Sequence, residues 1–429
     1  MGLAEWLLDR QPASFSATAP FPGEKDEQTN PLLLAVKEGD ESMVRLLLEK
    51  NADLNVRDVC GRTPLFWAVD GSYESIDPLF LSEGLAAANV RDNTDKRPLP
   101  GALESGYESI ARLLLDRGAD VNVWDHYGIS PLLLAVQRWK TNMVSVLVAR
   151  GADVNIVDSL RRTPLHWAVH EGNREIVHLL LQHNADINFR AELDQTPLHW
   201  AISQGDVDML TLLVDSGSDV NAVDALQNAP LHWAIVPGRD TGVAAFLLDK
   251  GTDVNVVDGL GRTPLNWAVQ CGLRGTAGLL LDNGADINRP DYLTGSPLHT
   301  AIRNDDHEMV CFLFKNGADI NLINVDGKSP LYWAVEWGRT RMVRFLLDNK
   351  ADVSCRTNSG ETALHKAVDE GDESVISLLV QKHADVNALD DFGHSPLSLA
   401  MDKNERSIMQ LLLGWQAGLS EHRFPCPER

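Results

Sequence analysis

The sequence predicts an all-α solenoid, a stack of about twelve helix-turn-helix units, and three observations predict it. One phrase recurs: Thr163-Pro164-Leu165-His166-Trp167-Ala168 returns as Thr196-Pro197-Leu198-His199-Trp200-Ala201 and as Ala229-Pro230-Leu231-His232-Trp233-Ala234. Its proline, or the equivalent residue, falls at Pro31, Pro64, Pro98, Pro131, Pro164, Pro197, Pro230, Pro264, Pro297, Pro330, Ala363 and Pro396, 33 residues apart except for 34 after Pro64 and after Pro230. A second phrase answers it, as in Gly151-Ala152-Asp153-Val154-Asn155 and Gly284-Ala285-Asp286-Ile287-Asn288. Self-similarity at a fixed period outranks any local reading, because it makes the chain a stack of one small unit.

Residues 163–195 show how one unit is built. Thr163 is suited to cap a helix by accepting a free backbone N–H. Pro164 stands at the first helical position, where its missing donor costs nothing. Leu165, Trp167, Ala168 and Val169 supply a short first helix, which Gly172-Asn173 ends. Ile176, Val177, Leu179, Leu180 and Leu181 recur at helical spacing and predict a longer second helix. Asn184 takes the place other units give to glycine, a left-handed stop that Asn tolerates. Ala185-Asp186-Ile187-Asn188 leads into a loop and the next turn. Neither helix buries its apolar stripe alone, so the pairs must stack.

These phrases resemble the ankyrin repeat signature T-P-L-H-x-A, and the resemblance spans roughly nine tenths of the chain. The W-A-V variant of the phrase is similar to that of the long arrays of filamentous fungi. The resemblance implies an array over residues 30–413, with units starting near 30, 63, 97, 130, 163, 196, 229, 263, 296, 329, 362 and 395. It also implies that the first helices line a concave face and that Thr163, Pro164, His166, Thr196, Pro197, His199 and His232 are structural residues tying neighbouring turns together.

The ends and three irregular places complete the organisation. Residues 1–29 are expected to be a tail or linker rich in Pro and Ser, with residues 3–8 as a degenerate cap helix; residues 414–429 are expected to be a C-terminal tail. Pro78 falls inside the second helix of the second unit. Pro100-Gly101 replaces His-Trp in the third unit, and a proline in a helix interior costs about 3 kcal/mol. Pro237-Gly238 interrupts the seventh. The bland reading is drift tolerated by a redundant stack; the sharper one is a soft joint over residues 70–105.

Composition bounds the function. The net charge of −23, with 38 basic residues against 61 acidic ones, argues against nucleic acid and anionic membranes, which are held through clustered Lys and Arg. A basic or apolar protein segment is the better partner. No run of eighteen apolar residues offers a membrane span. Five cysteines, at 60, 271, 311, 355 and 426, share no spacing, which argues against a disulfide framework or a zinc site and for a reducing compartment. The expected location is the cytoplasm, with the nucleus as second choice, for a monomer without cofactor or metal.

The most suggestive feature is the residue after the repeated His: Trp67, Trp167, Trp200, Trp233, Trp267 and Trp333. One turn on, the same face carries Glu171, Gln204 and Trp337. In one reading the indoles are a packing spine. In the other they present a ring face to a groove as binding anchors, since Trp is enriched among hot spots. Packed helices lie about 8–10 Å apart, and an extended peptide advances roughly 3.3 Å per residue, so a bound segment would meet a Trp about every third residue. The repeated histidines are not read as catalytic, because a catalytic His is needed once with a unique partner, and no nucleophile elbow, phosphate loop or metal-ligand motif is present. The resulting expectation is a protein-interaction scaffold, adaptor or regulatory subunit and not an enzyme. The alternative is an enzyme or small-molecule binder of a fungal biosynthetic pathway using the aromatic groove and nearby acids.

Overall fold

The computed structural model describes residues 30–71, 73, 79–80, 87–124, 129–238 and 241–421. The expected linker and cap helix at residues 1–29, and Pro78, lie outside them. The chain forms two compact units, Met1–Asp219 and Val220–Arg429. In the first, α1 (Pro31–Glu38), α2 (Glu41–Glu49), α3 (Pro64–Asp70), a 3-10 turn (Ala87–Asn89), α4 (Pro98–Glu104), α5 (Glu108–Asp116), α6 (Pro131–Gln137), α7 (Thr141–Ala149), α8 (Pro164–His170), α9 (Arg174–Gln182), a second 3-10 turn (Glu192–Asp194), α10 (Pro197–Gln204) and α11 (Val207–Asp215) follow in order. The second contains α12 (Pro230–Trp233), α13 (Gly242–Asp249), α14 (Pro264–Gln270), α15 (Arg274–Asp282), α16 (Pro297–Arg303), α17 (His307–Lys315), α18 (Pro330–Glu336), α19 (Thr340–Asp348), α20 (Ala363–Glu370), α21 (Glu373–Gln381), α22 (Pro396–Asp402) and α23 (Arg406–Glu421). Among the described residues the only β pairing is an isolated bridge between Arg356 and Thr362.

Every first helix except α20 starts at proline, and each packs on the first helices before and after it within its unit. The core is therefore a continuous layer of Leu and Ala from the repeated phrase (Leu165, Ala168, Leu198, Ala201) facing Val, Ile and Leu of the second helices (Ile176, Val177, Leu180), all fully buried. Asn184 adopts the left-handed stop expected of it, at φ 64°.

Loops are joined by a ladder of asparagines. In the first unit Asn89, Asn122, Asn155 and Asn188 each accept, through Oδ1, the backbone N–H of an Asp 31 residues on, at 2.7–2.9 Å. In the second unit Asn221 does the same for Asp253, 32 residues on, and Asn255, Asn288 and Asn321 for Asp286, Asp319 and Asp352, at 2.8–3.1 Å. Each rung satisfies an otherwise orphaned loop donor, which is the main condition on buried or half-buried backbone.

Three expectations need correction. Pro100 does not disrupt its helix: α4 has normal length and Pro100 is buried in it. It is the third helical residue, and the first four N–H groups of a helix have no intrahelical acceptor, so the missing donor is not missed. The penalty for an interior proline does not apply there. The tail expected from residue 414 begins as helix, because α23 runs on to Glu421. No positive-φ residue lies between Asn404 and Glu421 and no proline before Pro425, so nothing stops it. In the seventh repeat the interruption is stronger than expected: α12 is only four residues long, and Gly238 takes a φ of 82°.

Candidate partner-binding face

The repeated Trp follows a His that is locked in place. In α8, His166 is fully buried. Its Nδ1 accepts the Thr163 backbone N–H at 3.3 Å and lies 2.8 Å from Thr163 Oγ1, while Nε2 lies 3.2 Å from the Gln195 carbonyl oxygen. A carbonyl only accepts, so the ring is neutral with its proton on Nε2. In the second unit His299 repeats this with Ser296 and the Lys328 carbonyl. Burial pushes His166 and His299 down from the ordinary 6.5 to about 4, against the raising effect of their backbone carbonyl partners, and it lowers His232 too. These histidines are braces: charging one would put a proton on Nδ1 and break the bond it accepts from the N–H of its own helix's cap residue.

The indoles are braced as well. In the first unit, Trp67 and Trp167 donate their N–H to Asp58 Oδ2 at 2.9 Å and Asp158 Oδ2 at 3.2 Å. In the second, Trp233 and Trp267 donate to Asp224 Oδ2 at 3.1 Å and Asp258 Oδ2 at 2.9 Å. The acceptor lies nine residues upstream each time. Its Oδ1 meanwhile caps its own loop, as when Asp258 accepts from the backbone of Leu260 and Arg262. A guanidinium stacks on the ring: Arg162 on Trp167 at 4.3 Å and Arg262 on Trp267 at 4.9 Å. Where Ala191 replaces the aspartate, Trp200 donates instead to Gln195 Oε1 at 3.0 Å. The histidine of the preceding repeat meets the indole edge to face, His166 against Trp200 at 5.6 Å and His232 against Trp267 at 5.6 Å.

The consequence is that Trp67, Trp167, Trp200, Trp233 and Trp267 are all half-buried, with the N–H used internally and part of the ring left in solvent. Of the neighbours expected beside them, Glu171 accepts the N–H of Trp139, which is otherwise exposed, at 3.0 Å, and Gln204 donates to the His170 carbonyl oxygen. Both polar groups tie adjacent repeats. In the second unit Trp333 is buried and Trp337 is 48% exposed, their ring centroids 6.4 Å apart. The aspartates that hold the indoles are not singled out by the repeated phrases. The signal that finds them is the Asp-to-Trp offset of nine, repeated in four units.

Helical hairpins joined by hydrogen-bonded loops and stacked through Thr-Pro-Leu-His turns define a linear repeat protein, whose surface is the same face presented again and again. The chain belongs to the ankyrin repeat family: the family model described as ankyrin repeats (3 copies) matches residues 2–92, 32–125, 101–191, 198–291, 291–357 and 349–421. Among solved structures it is similar to the ankyrin repeat domain of Bcl-3, described as a unique member of the IkappaB protein family. That match is 29% identical, covers 51% of this chain and 98% of that one, and has a TM-score of 0.47. No curated protein sequence matches the chain significantly. Ankyrin repeats are in general protein-interaction modules rather than enzymes. Among the described residues no helix is long and apolar enough to cross a membrane, and Cys60, Cys271, Cys311 and Cys355 are free thiols.

Proposed function

We propose that this chain is a protein-interaction scaffold, adaptor or regulatory subunit whose first-helix face holds an extended segment of a protein partner. The observation that carries the reading is the repeated half-open indole. Because the N–H of Trp67, Trp167, Trp200, Trp233 and Trp267 is already bonded within the protein, each of these rings offers only its apolar face, which suits aliphatic side chains and the stems of Lys and Arg. The charge of −23 favours a basic segment and speeds its approach. Trp167, Trp200, Trp233, Trp267, Trp333 and Trp337 are the contact residues of this reading. Residues 30–413 form the array, the protein acts as a monomer, and its free thiols suit the cytoplasm or nucleus.

The test is affinity capture with the intact chain beside the Trp200→Ala/Trp233→Ala double variant, with circular dichroism to check that the variant keeps its helices. A partner held by the intact chain and released by the variant is the expected result. Equal retention by both, with the fold kept, removes the reading.

A further inference from the structure

Six repeats carry the tryptophan, and five supply its N–H with an acceptor. The sixth does not. Trp333 is 7% exposed, and its Nε1 meets no acceptor among the described residues. Nine residues upstream, where sibling repeats place Asp, stands Asn324, which is 6% exposed. Its Oδ1 accepts the backbone N–H of Asp326 at 3.0 Å and of Lys328 at 2.9 Å, the same two bonds that Asp258 Oδ1 makes to Leu260 and Arg262. Those bonds fix the amide: turned over, its NH2 would face two N–H donors. Asn324 Nδ2 therefore stands where the siblings have their second carboxylate oxygen, and it too meets no acceptor.

Two buried donors thus share a place built elsewhere in the chain around a carboxylate. Buried N–H groups without partners are uncommon in folded proteins. The loss is not compensated as it is beside Ala191, where Gln195 takes over. At the equivalent position here is Lys328, a donor only, and its Nζ turns 2.7 Å from Glu336 Oε1. Lys328 therefore offers the two donors no acceptor. Above Trp333 lies Trp337, half exposed, the neighbouring side chain with room to move aside.

We propose that Asn324 and Trp333 form a receptor for a carboxylate oxygen of a ligand, which supplies from outside the acceptor that other repeats supply from within. One oxygen would accept from both Asn324 Nδ2 and Trp333 Nε1, with Trp337 giving way to admit it. The ligand is a small carboxylate or an acidic side chain of a protein, and it does not depend on the extended-segment reading.

The test uses the full chain with 15N-labelled indoles, titrated with sodium formate against sodium chloride at equal ionic strength. The expected result is a saturable shift of the Trp333 indole resonance, assigned with Trp333→Phe, while the Trp267 resonance, already bonded to Asp258, stays in place. Asn324→Asp should abolish the shift by filling the site from within. A second titration with capped Ala-Asp-Ala and its Asn counterpart separates the sources: a shift with the Asp peptide alone assigns an acidic protein side chain, whereas a shift with formate alone assigns a small acid. If Trp333 moves with neither formate nor the Asp peptide, or all indoles move together, or the response survives in Asn324→Asp, the receptor does not exist.

Discussion

Trp267 Nε1 donates to Asp258 Oδ2 at 2.9 Å, and the same oxygen receives the Arg262 side chain at 2.8 Å. Burial alone would raise the Asp258 carboxyl, but the hydrogen bonds from Trp267, from the backbone of Arg262 and Leu260 and from the Arg262 side chain outweigh it and hold its pKa below the ordinary carboxylate range. One carboxylate thus fixes a loop, an indole and a guanidinium. Asp258→Asn keeps the loop bonds through Oδ1 but turns a donor toward two donors. The expected cost is about 1–3 kcal/mol, the range for stranding a buried polar group, read as a lower urea midpoint with an unchanged slope. An unchanged midpoint would mean the indole is held by packing alone.

The buried histidines set an acid limit on stability. For His166 and His299 the folded-state pKa of about 4 lies below the unfolded value of 6.5. Between those values the unfolded chain binds the proton and the folded chain does not, so stability falls as pH drops from 6.5 and the loss levels off near 4. At 1.36 kcal/mol per unit, each histidine accounts for roughly 3 kcal/mol over that window. Asn266 holds the His position in α14, accepting the Thr263 N–H at 3.0 Å and the Thr263 hydroxyl at 2.6 Å. His299→Asn is therefore expected to fold and to flatten part of the acid dependence of the thermal midpoint between pH 6.5 and 4. A variant with the parent's full pH slope would show that His299 is not the titrating brace.

The repeat architecture was legible because each unit writes the same residue types at the same register, so a weak local signal is read twelve times. Asn184 as a left-handed stop and Thr163 as a cap followed from side-chain chemistry alone. The Asp258–Trp267 bond was not legible, because nine residues spanning a loop and a helix start match neither helical nor strand periodicity. Pro100 was misjudged for a different reason: Pro98 matches Pro164, which opens its helix, so Pro100 is the third helical residue, where the cost of an interior proline does not apply. The gap at Trp333 stood in the sequence as Asn324, but it carries meaning only once the sibling aspartates are seen to hold indoles.

Gly101 replaces the tryptophan inside α4 with no left-handed backbone to justify it. A Cβ added there would meet only Val69 Cγ1 at 3.9 Å, an ordinary contact. Glycine in a helix interior is less stable than alanine by roughly 0.5–1 kcal/mol. Gly101→Ala should raise the unfolding free energy of the first unit by about that amount, measured by hydrogen exchange of the α4 amides. A destabilised variant would show that the third repeat needs close backbone approach at this point.

The asparagine ladder stops one rung short. Asn321 accepts from Asp352, but at the next equivalent position stands Ser354, whose hydroxyl turns back to its own loop and donates to Asp352 Oδ1 at 2.6 Å. Among the described residues no side chain of that loop reaches the Asp385 backbone, which would be the next rung. Without that rung the last repeat is tied to its neighbour by helix packing, by the loop bond from the Asp391 N–H to the Ser359 carbonyl, by His365 Nε2 at 3.1 Å from the His394 carbonyl oxygen and by Lys403 Nζ, which reaches Asp369. In a stack whose stability is a sum of nearest-neighbour terms, the end repeat frays first. Ser354→Asn is expected to add one intramolecular bond, worth about 1 kcal/mol, and to slow amide exchange in α22 and α23 about fivefold (1 kcal/mol against an RT of 0.59) while leaving α14 and α16 as they were. Slowing spread evenly over the second unit would mean that it opens as one cooperative block.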